Sequence, residues 1–154
     1  MPREIIGMLD GKGMRVAIAV ARFNSQITDR LLDGALDALR RNHVADTDIT
    51  VVRCPGSWEL PLVCQRLTAN NGADAVLALG CLIRGDTPHF DYIAAECTKG
   101  VAQVGMESGI PVIFGVLTTD TVDQAMDRAG LKSGNKGFEA AVTAIEMVNV
   151  MRAL

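Results

Sequence analysis

Four short apolar segments, each followed by a turn and then a helically patterned stretch, set the strongest constraint on how this chain can fold. Residues 14–21 (MRVAIAVA), 73–80 (ADAVLALG) and 111–117 (PVIFGVL) are almost continuously apolar, while 48–53 (DITVVR) is shorter and more polar. Runs of this length and continuity read as strands covered on both faces, the habit of parallel sheets. After the first run, Ile27, Leu31, Leu32, Ala35 and Leu39 recur at helical spacing over 26–41, with Asn24 or Ser25 placed to cap. A second helix is predicted from Trp58 to about residue 69, capped by Ser57, with Pro61 in the first turn where a missing amide costs least. Ile93, Cys97, Val101 and Val104 make one apolar stripe on a helix predicted over 89–108. Helices over 122–129 and 136–151 complete the series.

The order β-α-β-α-β-α-β-α-α predicts an α/β fold: a three-layer α/β/α sandwich with a central four-stranded parallel sheet and right-handed crossovers. At 154 residues, with no linker, repeat or low-complexity stretch, the chain is expected to form one domain over 1–154. Residues 1–13 form a short N-terminal arm whose Ile5, Ile6 and Met8 are expected at a sheet edge, its own or a neighbouring chain's. Composition then narrows the function classes. With 49% apolar and 21% charged residues the chain is too hydrophobic for disorder, yet its longest apolar runs fall well short of the ~18 residues of a membrane span. The charged N-terminus does not read as a signal peptide, so a soluble, cytoplasmic protein is expected. A net charge of −3 without a basic face argues against nucleic acid. Cys54, Cys64, Cys81 and Cys97 form no CxxC pair and sit in apolar segments, where free cysteine behaves as a small hydrophobe.

The densest stretch is 80–92 (GCLIRGDTPHFDY), immediately after the third apolar run, where open α/β sheets place their ligands. His89 has the pKa range for proton transfer near neutral pH, although a histidine at a helix start also serves structure. Gly85 allows close approach of backbone to an anion, and the amides of the following helix add positive potential. Phe23 and Trp58 fall in polar turns where a flat ligand can stack; Phe90, Tyr92 and Phe114 are equally readable as core. Arg128, Lys132 and Lys136, set among glycines, are either a solvated turn or a phosphate clamp. Glu59 is either a dipole-favoured surface residue or an acceptor for ligand hydroxyls. No GxxxxGK[ST], HExxH, GxSxG or GxGxxG occurs, which removes the main basis for nucleotide-loop, metallohydrolase, serine hydrolase and dinucleotide readings.

Five segments taken together go further. Residues 21–24 (ARFN), 54–61 (CPGSWELP), 79–92 (LGCLIRGDTPHFDY), 111–116 (PVIFGV) and 128–137 (RAGLKSGNKG) closely resemble the lumazine synthase family, in family order and across nearly the whole chain. The resemblance implies a flavodoxin-like fold. It also implies condensation of 5-amino-6-ribitylamino-uracil with 3,4-dihydroxy-2-butanone 4-phosphate to 6,7-dimethyl-8-ribityllumazine and phosphate, the penultimate step of riboflavin biosynthesis, with no metal or cofactor. By similarity Phe23, beside Asn24, stacks on the pyrimidine; Ser57, Trp58 and Glu59 line the site, with Glu59 near the ribityl chain. Cys81, Leu82 and Ile83 offer backbone groups to the ring, Asp86 and Thr87 hold phosphate through the loop backbone, and His89 moves protons. Arg128 pairs with the phosphate, with Lys136 near that end of the pocket, and both Phe114 and Arg128 come from the neighbouring subunit. Relatives commonly carry a small neutral residue where Asp86 stands, so an amide contact with the carboxylate turned away is implied there. Homopentamers are implied as the unit, and the short 130–135 turn resembles the members that assemble twelve pentamers into a 60-mer shell. Two alternatives remain at this point: an archaeal-type riboflavin synthase, and a flavin- or lumazine-binding shell protein without turnover.

Overall fold

The computed structural model describes residues 1–132 and 134–154, so Ser133 of the 128–137 motif lies outside the described residues. Its centre is a four-stranded, all-parallel sheet in the order β2-β1-β3-β4, formed by β1 (Val16–Ala21), β2 (Ile49–Cys54), β3 (Ala75–Ile83) and β4 (Val112–Thr119). The predicted three-layer α/β/α, flavodoxin-like arrangement is therefore present. All six residues of β1 are buried, as a near-continuous apolar run requires. Thr50, Val51 and Arg53 of β2 are exposed, in keeping with its place at the sheet edge.

The alternation of side chains along β1 builds two unlike layers. Val16, Ile18 and Val20 join Leu77 and Leu79 of β3 under α1 (Ser25–Arg41) and α5 (Lys136–Ala153), where Leu31, Leu39 and Ile145 are fully buried. Ala17, Ala19 and Ala21 face the other way with Val76 and Ala78, against α2 (Leu60–Thr68) and α3 (His89–Ser108). A short seven-residue helix, α4 (Val122–Arg128), follows β4, and Thr121 caps it by accepting from the Gln124 amide at 3.1 Å.

Several boundaries differ from the sequence reading for tertiary reasons. β3 runs on to Ile83, because its ladder with β4 continues through Leu82↔Thr118 and Ile83↔Thr119. Ser57 does not cap α2. It lies buried in a 3₁₀ turn, Ser57–Glu59, against β3, where a side chain on Gly80 would come within 2.7 Å of its Oγ. Gly80 is thus a place of close packing within the strand. The arm over 1–13 forms no strand with its own sheet; it lies along α5, with Asn149 Nδ2 donating to the carbonyls of Met8 at 2.6 Å and Asp10 at 3.1 Å. Among the described residues no helix is long and apolar enough to cross a membrane.

Candidate active site

Three parallel strands end at one rim, and the first cavity opens there, with a volume of about 710 Å³. β1 delivers Phe23 and Asn24, β2 delivers Pro55 to Glu59, β3 supplies Cys81, Leu82 and Ile83, and the loop and first turn of α3 add Gly85, Thr87 and His89. The β1–β2 pairing continues beyond both strands, through Arg22 N–H to the Cys54 carbonyl at 2.8 Å and Phe23 N–H to the Pro55 carbonyl at 3.0 Å. Those bonds fix the stem of the Phe23 turn. Asn24 sits at the N-cap of α1 in a left-handed conformation (φ 64°) that asparagine tolerates better than most residues, but it makes no capping bond. Its Nδ2 donates instead to the Cys81 carbonyl at 2.8 Å, tying the ends of β1 and β3 together.

Phe23, Trp58 and Tyr92 are 70%, 57% and 67% exposed, although all three border this cavity. Aromatic faces left bare around a concavity give a flat ligand surfaces to stack on. His89 is exposed at the first residue of α3, a 20-residue helix whose N-terminal amides favour an anion in front of them. Glu59 is half-buried in the opposite wall and Ser57 is buried. The wall passes from Gly85 to Thr87 and leaves the exposed Asp86 outside it. Burial pushes the Cys81 thiol up to about 11, so at neutral pH it is protonated and ill-suited to be a nucleophile. The chemistry available here is therefore ring stacking, hydrogen bonding, anion binding at a helix start and proton transfer by an imidazole.

Phe114, Arg128 and Lys136 are elsewhere. They border a second cavity of about 560 Å³ along β4 and the facing ends of α4 and α5, together with Thr118, Thr119 and Glu139. Among the described residues neither Arg128 nor Lys136 is paired with a carboxylate. The backbone next to the two cations is tied by Asn135, which caps α5 by accepting from the Phe138 amide at 3.0 Å and donates to the carbonyls of Arg30 at 3.0 Å and Ala129 at 3.2 Å. Gly34 of α1 lies directly against the Asn135 amide, and Gly137 against the Leu31 backbone. Lys132 borders neither cavity.

Thr118 and Thr119 stand with Phe114 at the end of β4, as parallel strands require, but sequence reading missed Glu139 as a wall of the second cavity and gave no role to Arg84. Glu139 had a weak signal, since it stands one helical turn after Lys136. Arg84 had none, because its carboxylate partners Asp91 and Asp120 come from two different elements.

A parallel α/β sandwich with an aromatic-rimmed cavity, a histidine and a helix start at the carboxyl ends of its strands defines a flavodoxin-like protein with a cavity open to a small molecule. The chain matches the 6,7-dimethyl-8-ribityllumazine synthase family over residues 13–152. It is 58% identical over 148 residues to a 6,7-dimethyl-8-ribityllumazine synthase of Anaeromyxobacter dehalogenans (strain 2CP-C), covering 96% of this chain and 91% of that protein. The chain belongs to the 6,7-dimethyl-8-ribityllumazine synthase family.

Proposed function

We propose that the chain condenses 5-amino-6-ribitylamino-uracil with 3,4-dihydroxy-2-butanone 4-phosphate, releasing 6,7-dimethyl-8-ribityllumazine, phosphate and water in riboflavin biosynthesis. The observation that carries this reading is the first cavity, where exposed aromatic faces, Glu59 and His89 converge at family-motif positions. The pyrimidine stacks on Phe23 and Trp58, its ring edge meets backbone groups of Cys81 to Ile83, and the ribityl hydroxyls donate to Glu59. Asn24 keeps the floor of that subsite rigid, and Ser57 packs beneath it.

The reaction begins with attack of the exocyclic amine on the butanone carbonyl and loss of water to an imine. Proton removal from the adjacent carbon drives expulsion of phosphate, the product tautomerises, and the second amine closes the ring with loss of another water. Each step moves a proton between carbon, nitrogen and oxygen, and His89 at the cavity mouth is the group suited to carry it. The departing phosphate lies before the amides of Thr87 and Asp86 at the start of α3, and Arg128 and Lys136 neutralise its charge. Because Phe114, Arg128 and Lys136 border a different cavity, one chain completes the site of the next. A homopentamer, assembled further into a 60-mer of twelve pentamers and residing in the cytoplasm, is the form this reading takes. Exposed Leu62, Met106, Val122 and Leu131 are apolar surface that such association would cover.

The test is direct: both substrates are supplied to the purified protein, and the product absorbance and released phosphate are followed together. One phosphate per lumazine is expected. Product formed from lumazine alone, without phosphate, would assign the riboflavin synthase reaction instead, and binding without turnover would leave a carrier or shell protein.

A further inference from the structure

Between the last residue of β3 and the first turn of α3 the backbone has little to hold it. Gly85, Asp86 and Thr87 make no hydrogen bond among the described residues. Their position is set from the two ends, and a single side chain grips both. Arg84 extends the β3–β4 ladder by donating its amide to the Thr119 carbonyl at 2.8 Å. Its Nη1 donates to both oxygens of Asp91, in the first turn of α3, at 3.2 and 3.4 Å. Its Nε donates to Asp120 Oδ1 at 2.9 Å, and the guanidinium carbon lies 4.5 Å from the centroid of the Phe90 ring. Asp120 is itself anchored, because its amide donates to Gln124 Oε1 at 2.9 Å and the flanking Thr119 hydroxyl donates to the Thr121 carbonyl at 2.9 Å.

We propose that Arg84 is a positioning residue for the reaction, a planar bracket that holds the 85–88 loop and the His89 turn in register with the end of β4. The inference rests on the lumazine synthase reading of the first cavity. Arg84 borders neither the first nor the second cavity but a separate depression with Phe90, Thr118 and Asp120, and its guanidinium is committed to two carboxylates and a ring, so it acts through Thr87 and His89. Ion pairs this exposed contribute little to global stability, and the bracket's worth therefore lies in placement. The fork geometry is specific to arginine: a lysine ammonium can satisfy one of the carboxylates but cannot bridge both while covering the ring.

The experiment compares wild type, Arg84→Ala, Arg84→Lys and Asp120→Asn by steady-state kinetics for each substrate and by amide hydrogen exchange of the 84–92 segment. In Arg84→Ala, kcat/KM for the butanone phosphate is expected to fall about tenfold through misplacement of the loop. The KM for the pyrimidine should stay within about twofold, exchange of the 86–91 amides should quicken, and the melting temperature should move by only a few degrees, since placement and not stability is at stake. Arg84→Lys should recover part of the loss, and Asp120→Asn should show a milder version of it even if Arg84→Ala does not fold. Unchanged kinetics and exchange would overturn the proposal, as would equal losses for both substrates accompanied by a large fall in melting temperature. A wild type without turnover would instead overturn the functional reading, while the exchange data would still decide whether Arg84 holds the loop.

Discussion

The first and second cavities of this chain share one sheet but are built in opposite ways. The first is gathered from the ends of β1, β2 and β3, so three strands and a helix start surround it with aromatic faces, a histidine and a carboxylate. The second runs along the edge strand β4 and presents Arg128 and Lys136 beside Phe114. No residue belongs to both walls. The proposed condensation, which needs a stacked ring, a proton carrier and a neutralised phosphate, would draw on both, with a second chain meeting the edge of β4. On the proposed reading the ends of β1, β2 and β3 hold the ring and the proton carrier, and β4 with the ends of α4 and α5 supplies the cations.

The sharpest way to break this division is to damage each cavity in a different chain. His89→Ala alone should lower kcat by up to ~10²-fold, and Arg128→Ala should raise the KM for the butanone phosphate by roughly 10–100-fold. Co-assembled in equal amounts, the two variants should recover about a quarter of wild-type activity at limiting butanone phosphate, since in a ring of heterologous contacts that share of sites has both intact halves. Activity equal to the mean of the separate variants would mean that each chain works alone. Phe23→Ala tests the recognition half by itself. Loss of a stacked aromatic should raise the pyrimidine KM by about tenfold and leave the phosphate substrate almost untouched. If steady-state kinetics show both KM values rising together, the cavities are not specialised as drawn.

The smallest effect on turnover is expected from the thiols under the first cavity. Burial pushes Cys64 up to about 12 and Cys97 up to about 11, and it raises Cys54 as well. An unfolded thiol titrates near about 8.5. The folded values lie above it, so the stabilisation is fully present below that pH and is lost as pH climbs towards the folded values. The loss should be on the order of 1–2 kcal/mol for each of Cys64 and Cys97 by pH 10. Unfolding curves between pH 8 and 10 would record the decline, and Cys64→Ala should flatten it. A pH-independent stability over that range would remove thiol burial as a determinant.

Much of this was readable from the chain because apolar periodicity is a local property. The runs at 14–21, 73–80 and 111–117 became strands, and the helix predicted over 89–108 was found as His89–Ser108. What escaped was set by partners distant in sequence. Asn24 looked like a cap, yet its amide is spent on Cys81, 57 residues away. Ser57 looked like another, but it is buried beside Gly80, and Arg84 gained its role only when Asp120 was brought to it across 36 residues. The candidate site residues were legible as motifs, whereas their sorting into two cavities required the strand order.

The junction of α1, α4 and α5 has a bearing on how such a chain can vary. Asn135 reaches its three backbone partners only because Gly34 offers no side chain, and Gly137 lets the Leu31 backbone come equally close. Gly34 borders neither cavity, and the carbonyls of Arg30 and Ala129 serve regardless of what side chains those residues carry. The aim of Arg128 and Lys136 is consequently inherited through positions that never meet a ligand. On the proposed reading, drift at residue 34 would erode phosphate capture while Arg128 and Lys136 themselves stayed the same.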